Sequence, residues 1–196
     1  MASLRAFAIA LTLMVGSVAY ASTASPTLLW DYSVLKEVKS NLYYHYLVEE
    51  CVKKANAFLG QPPLTVMDKT WSYNDDYHYY VTMAGYWWPE EKDGKIVYVR
   101  HDGKSYPGAN DLDLKKIQQL AERLQYFSLA YYYTHNRKYL KAFQLHLDAW
   151  FVNLETRMYP NFEYAQVILG KKEIKGRGVG LIEAHPFNTI WNPFDF

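Results

Sequence analysis

Tyr86-Trp87-Trp88-Pro89 and Arg100, with a later block holding Arg157, Asn161, Gln166 and Arg177, carry the side chains best suited to gripping a polar ligand. Three adjacent large rings do not fit an amphipathic helix. One helical face takes only every third or fourth position, so at least one ring would be stranded in water. Pro89 also turns Trp88 away from the α region, toward an extended backbone. An extended aromatic run lines a groove or fills a core, and Trp87 and Trp88 are expected to divide these roles between them. A guanidinium offers a fork of donors that matches a carboxylate, so Arg100 and Arg157 suit an acidic group. Each also has an acidic neighbour, Asp102 or Glu155, with which it could pair instead. Tyr80 and Tyr86 bring phenol hydroxyls to the same stretch. Asn161, Gln166 and Arg177 lie in irregular, polar sequence after a helix, where they fit either a groove wall or loop hydrogen bonding. His78 is either a donor to the ligand or a satisfied structural histidine.

The composition agrees with a surface built for partly polar ligands. The chain holds 19 Tyr, 9 Phe and 6 Trp, and tyrosine and tryptophan join an apolar face to a polar handle, as suits sugars. A net charge of +1 gives no electrostatic reason to expect nucleic acid or an anionic membrane surface as partner. Cys51 is the single cysteine, so no intramolecular disulfide can form. It falls in a row with Tyr43, Leu47, Ala55 and Phe58 and reads as a buried apolar thiol.

These residues need elements to position them. Arg5, the apolar run Ala6–Val18 and the Ala19-Tyr20-Ala21 end describe a secretory signal peptide over residues 1–21, leaving residues 22–196 as one exported domain without a membrane span. From Trp30 to Leu59 the pattern is helical, as one bent helix or two in succession, with Val34, Leu35, Val38 and Leu42 leading into the Cys51 row. Gly60, Pro62 and Pro63 stop it. Leu64 to Asp111 has no sustained helical period, and only Lys95–Arg100 reads as a short strand. Helix resumes at Asp111 or Asp113, with Ile117, Leu120, Ala121, Leu124, Phe127 and Tyr131 in one stripe. Thr134-His135-Asn136 interrupts it, and a second helix runs from about Arg137 to Phe151 with Leu140, Phe143, Leu147 and Trp150 inward. So short a link requires an antiparallel αα-hairpin. The expected fold class is all-α, helical hairpins with long loops on one face.

Two blocks carry a family resemblance. His78-Tyr79-Tyr80-Val81-Thr82-Met83-Ala84-Gly85-Tyr86-Trp87-Trp88-Pro89 and Tyr98-Val99-Arg100-His101-Asp102-Gly103 form the first. Trp150-Phe151, Glu155-Thr156-Arg157-Met158, Pro160-Asn161, Tyr164-Ala165-Gln166 and Gly176-Arg177-Gly178-Val179-Gly180 form the second. In this order, separated by a helical hairpin, they resemble the alginate lyase family of α/α-toroid polysaccharide lyases, over roughly Ala55 to Glu183. Tyr79 stands where the family usually has Asp, Gly85 where a Pro is common, and Tyr106 where an Asn is expected. The family's later Asn-His motif, and the catalytic Tyr and Arg beyond it, have no counterpart here. The expectation is therefore an incomplete toroid, similar to the N-terminal half of a lyase and truncated at its C-terminus.

The resemblance implies β-elimination of a polyuronate, an acidic polysaccharide. A base removes the proton at C5, and the 4-O-glycosidic bond leaves to give an unsaturated sugar. That proton is scarcely acidic while the neighbouring carboxylate keeps its charge, so the site must supply Asn, His or Arg donors to neutralise it. A tyrosine within hydrogen-bond reach can act first as base and then as acid. The chemistry requires no metal or organic cofactor, and no clustered ligand spacing suggests one. Tyr80, Tyr86, Trp87, Trp88, Arg100, Arg157, Asn161, Gln166 and Arg177 are then the expected substrate contacts, and the proton-transfer residue is unassigned. A chain with these contacts alone would bind acidic polysaccharide without cutting it.

Overall fold

The computed structural model describes residues 31–171 and 173–190; the expected signal segment, residues 1–21, lies outside them. Asp31 opens helix α1 (Tyr32–Ser40), its carboxylate accepting from the Ser33 amide at 2.8 Å. Asn41 is extended and ends α1, and one 3₁₀ turn leads into α2 (His45–Phe58). The stretch is thus two helices in succession. Cys51 and Ala55 are buried as their spacing predicts, but Tyr43 and Leu47 in the same row are exposed, as are Val34 and Leu42. The reason is that α2 joins the core through its second half, at Cys51, Val52, Ala55 and Phe58. Burial pushes the Cys51 thiol up to about 12, so it stays protonated and inert.

Helices α3 (Asp113–Thr134) and α4 (Arg137–Phe151) form the antiparallel hairpin at the centre of the core. Ile117, Leu120, Leu124 and Phe127 on α3 are fully buried, as is Trp150 on α4. The link is a two-part cap. His135 takes a left-handed conformation (φ 53°) and its amide donates to the Tyr131 carbonyl, which closes α3. Asn136 then accepts from the Lys138 amide and opens α4. On α4 the inward face is rotated slightly from the expected one, and Tyr139 and His146 are buried while Leu140 and Leu147 are half-buried. Arg123 clamps the preceding loop to α3 by donating to the Pro62 carbonyl at 2.8 Å and to Gln61 Oε1 at 2.6 Å.

The described residues are mostly helical, as the all-α expectation has it, with a small amount of sheet that it did not include. Between the helices lie two separate two-stranded sheets. β2 (Trp87–Lys92) and β3 (Lys95–Arg100) form an antiparallel hairpin in the register Trp87↔Arg100 to Lys92↔Lys95. Its turn is Asp93-Gly94, both with positive φ (51° and 72°), the combination that matches the twist of a two-residue hairpin. β1 (Val81–Met83) pairs in parallel with β4 (Tyr164–Val167). Strands this short carry no readable period, and their pairing is non-local, so a pattern search over the sequence passes them by. A final 3₁₀ stretch, Gly178–Ala184, leads into the short helix α5 (His185–Ile190). Among the described residues no helix is long and apolar enough to cross a membrane.

Candidate functional site: a cationic cleft over an aromatic strand

The site begins with how its floor is fixed to the helical core. Lys69 Nζ donates to Asp113 Oδ2 at 2.7 Å and to the carbonyls of Tyr77 and Tyr79 at 3.0 and 2.6 Å. Asp113 Oδ2 also accepts from the Val81 amide at 2.9 Å. The start of α3 is thereby tied to the backbone that becomes β1. Asp113 begins the helix as the sequence suggests, but its carboxylate is spent on this tie and caps no helix amide. Loss of water pushes the Lys69 ammonium down and the Asp113 carboxyl up. The charge each feels from the other, with four hydrogen bonds to the two groups, opposes that shift and holds the pair ionic.

From β1 the chain turns at Ala84-Gly85 into β2, and the pleat decides what each aromatic does. Successive side chains on a strand point to opposite faces, so Trp87 and Trp88 separate. Residues directly opposite in an antiparallel pair share a face, so the Trp87↔Arg100 register puts Arg100 on the same face of the hairpin as Trp87, and both line one cleft. Trp88 turns the other way. Its ring lies against Tyr106 and His101, and its Nε1 donates to the Lys104 carbonyl at 2.8 Å. On that same face His101 Nε2 meets Glu90 Oε1 at 2.6 Å.

The opposite wall comes from β4 and the glycine-rich run after it. Gln166 takes a left-handed conformation, φ 57°, where the β1–β4 register shifts. Such an irregularity in a short strand re-aims a side chain. The Gln166 amide donates to Thr82 Oγ1 at 2.7 Å, across 84 positions of sequence. Beside it, Gly176 and Gly180 let the Arg177 segment lie directly on the strand. A Cβ on Gly176 would sit 2.5 Å from the Glu163 carbonyl oxygen, and one on Gly180 would sit 2.8 Å from that of Ala165. The Arg177 amide closes the contact by donating to the Ala165 carbonyl at 2.9 Å.

These walls enclose a cleft of about 320 Å³ lined by Gly85, Tyr86, Trp87, Arg100, Gln166, Arg177 and Val179. Five of the nine expected contacts meet there: Tyr86, Trp87, Arg100, Gln166 and Arg177. The electrostatics favour an anion. Arg100 and Arg177 are both exposed, and the Lys171 ammonium lies 5.6 Å from the centre of the Trp87 ring. Arg100 does pair with Asp102 at 2.7 Å, but both side chains are open to water. An exposed pair of this kind is weak, and a ligand carboxylate can replace it.

The other four lie elsewhere. Trp88 is on the far face of the hairpin. Tyr80 is buried, its ring edge against Phe162 and its hydroxyl donating to Glu183 Oε2 at 3.2 Å. Arg157 lines a second, mainly aromatic hollow of about 390 Å³ with Phe151, Tyr159, Phe162 and Phe187. Asn161 is engaged in its own turn, its Oδ1 accepting from the Glu163 amide at 3.2 Å. The Thr156-Arg157-Met158 block wraps the end of α4, with Thr156 Oγ1 donating to the Ala149 carbonyl and the Met158 amide to the Trp150 carbonyl. His78 belongs to the same corner, its Nδ1 2.7 Å from the Arg157 carbonyl oxygen. Position in an irregular loop did not distinguish Arg157 and Asn161 from Gln166 and Arg177; β4 did.

Sequence reasoning missed three participants. Lys69 and Lys171 sit in unpatterned loops and carry no local signal. Glu183 follows the glycine run but is buried, accepting from Thr82 Oγ1 at 2.7 Å and from Tyr80. Burial raises its carboxyl above the usual carboxylate range, against the pull of the bonds from Thr82 and Tyr80. Among the described residues no group of three or more His, Cys, Asp and Glu side chains is arranged to hold a metal ion.

Comparison with known proteins agrees with these blocks. The alginate lyase family profile matches residues 65–192. The fold matches the crystal structure of an alginate lyase from Bacteroides ovatus with a TM-score of 0.73 and 34% sequence identity, over 81% of this chain and 42% of that one. This chain therefore spans less than half the length of that relative. No curated protein matches the sequence. On the strength of a profile that covers both the aromatic hairpin and the glycine-rich wall, the chain belongs to the alginate lyase family.

Proposed function

We propose that this chain provides the polyuronate-gripping part of a polysaccharide lyase that acts by β-elimination on alginate or a related acidic polysaccharide. The observation that carries this is the cleft itself, where Arg100 and Arg177 flank Trp87 and Gln166. An indole face supports the apolar face of a sugar ring. Two guanidiniums beside it supply the charge neutralisation that makes a proton next to a uronate carboxylate removable. Gln166 adds an amide donor. Tyr86, exposed at the cleft, offers a phenol, but no residue is assigned to proton transfer. In this reading the α3/α4 hairpin is one unit of an α/α toroid, and the N-terminal signal directs the protein to export.

A second reading, binding of acidic polysaccharide without cleavage, is favoured by one observation. Trp87, Arg100, Gln166 and Arg177, which line the cleft, are groups that hold a uronate rather than take its proton. One experiment separates the two. The purified chain is incubated with polymannuronate, polyguluronate and polyglucuronate, with dextran as neutral control. Ultraviolet absorbance of the unsaturated product follows cleavage, and calorimetry follows binding. Product formation supports the lyase reading. Binding without product supports the second. Failure to bind any polyuronate sinks both.

A further inference from the structure

Glu183 touches none of the cleft's open surface chemistry, yet it stands behind the residue that does. Gln166 is held in a backbone conformation that non-glycine residues seldom adopt, and such a conformation persists only where its surroundings impose it. The surroundings here form a directed chain. The Gln166 amide donates to Thr82 Oγ1 at 2.7 Å, and Thr82 Oγ1 donates to Glu183 Oε2, also at 2.7 Å. A hydroxyl has one proton. Because the Thr82 oxygen must accept from Gln166, its proton is committed to an acceptor on the far side, and Glu183 provides it. Tyr80 donates to the same oxygen at 3.2 Å. Glu183 therefore holds the Gln166 backbone through Thr82.

We propose that Glu183 is the positioning residue of the cleft: through Thr82 it fixes the left-handed backbone of Gln166, and so presents the Gln166 side chain to the ligand carboxylate. The role of Gln166 toward a ligand rests on the proposed function; the hold of Glu183 on Gln166 does not.

Two measurements test this. The first is amide hydrogen exchange by NMR, with the Met158 amide, bonded to the Trp150 carbonyl, as reporter of global opening. In Glu183→Ala and Thr82→Val the Gln166 amide should exchange at least about tenfold faster relative to Met158, a local rather than global loss of protection. Glu183→Gln should retain protection, because its carbonyl oxygen still accepts from Thr82. Equal changes at Gln166 and Met158, or no change at Gln166, would overturn the proposal. If Glu183→Ala does not fold, Glu183→Ala/Gln166→Gly should, since glycine takes the left-handed conformation freely; a double variant that also fails to fold overturns it.

The second is affinity for an alginate-derived oligouronate. Glu183→Ala should weaken binding by the same factor as Gln166→Ala, with no further loss in the double variant. Losses that multiply would show that Glu183 acts independently of Gln166. If the unaltered chain binds no oligouronate, the functional reading falls, and amide exchange still decides the positioning role.

Discussion

The Lys69 ammonium and the Asp113 carboxylate meet at 2.7 Å with neither side chain open to solvent. This buried pair joins a loop to the first residue of α3, and through the Val81 amide it also fixes β1. Lys116 Nζ lies 3.9 Å from Asp113 Oδ1, within ion-pair range but beyond hydrogen bonding, so Lys69 is the principal partner. Removing one member leaves an uncompensated charge in the interior. Lys69→Met should therefore cost about 3–5 kcal/mol of stability, measured by urea unfolding. Lys69→Met/Asp113→Leu should recover much of that loss. A single variant as stable as the parent would show that the pair holds nothing in place.

The strand pleat predicts different outcomes for two adjacent tryptophans. Trp87→Ala removes the cleft floor and should weaken polyuronate binding by about tenfold or more, a loss of about 1.4 kcal/mol at the least. Trp88→Ala removes a ring from the far face and its bond to the Lys104 carbonyl. It should lower the melting temperature and leave affinity nearly unchanged. Calorimetric titration of both variants checks the pair, and equal losses of affinity would contradict the register.

The glycines of the Gly176–Gly180 run are not equivalent. A methyl group on Gly176 would meet two carbonyl oxygens at 2.5 and 2.6 Å, whereas one on Gly178 has nothing within 4 Å. Gly176→Ala should destabilise the protein by about 1–3 kcal/mol, the usual cost of overpacking, and should displace Arg177 from the cleft. Gly178→Ala should be close to neutral. Thermal unfolding of the two variants distinguishes them.

His146 sets an acid limit on stability. It is buried with its Nδ1 unpartnered, its ring packed against Phe127. Burial first, and the Arg123 charge second, lower its pKa from 6.5 to about 4. The folded state thus refuses a proton that the unfolded chain accepts, so stability is full above about pH 6.5 and falls as pH drops toward 4. The loss contributed by this residue should approach about 3 kcal/mol. His146→Phe should flatten the curve in that window, as read by urea midpoints across pH. A slope unchanged by the substitution would place the acid sensitivity elsewhere.

Glu183 has the opposite sign. Its carboxyl is raised by burial, so the folded state binds the proton more readily than the unfolded chain. The stability it contributes is present at low pH and is lost as pH rises through its folded value. Glu183→Gln should therefore be at least as stable as the parent at neutral pH, and any advantage should shrink on acidification. A neutral-pH loss of stability in Glu183→Gln would mean that the charge itself is needed for folding.

What the sequence determined alone was set by local chemistry. The α3 stripe from Ile117 to Phe127 fixed one buried helix face, and the cap at His135 and Asn136 needed no distant partner. The aromatic run before Pro89 required an extended backbone wherever it lay. Asp93-Gly94 was a hairpin signal in plain view, and with Lys95–Arg100 as its second strand it would have paired Trp87 with Arg100 from sequence alone. The tertiary structure decided which polar loop residues share a cleft. Gln166 and Arg177 reach it, and Arg157 and Asn161 do not, because β4 pairs with β1 across some eighty positions. Such a pairing leaves no periodic trace in either short segment. The same distance hid Glu183, whose importance comes from Thr82 and Tyr80, about a hundred positions earlier. A buried carboxylate is made meaningful by its donors, and those are supplied only when the chain folds.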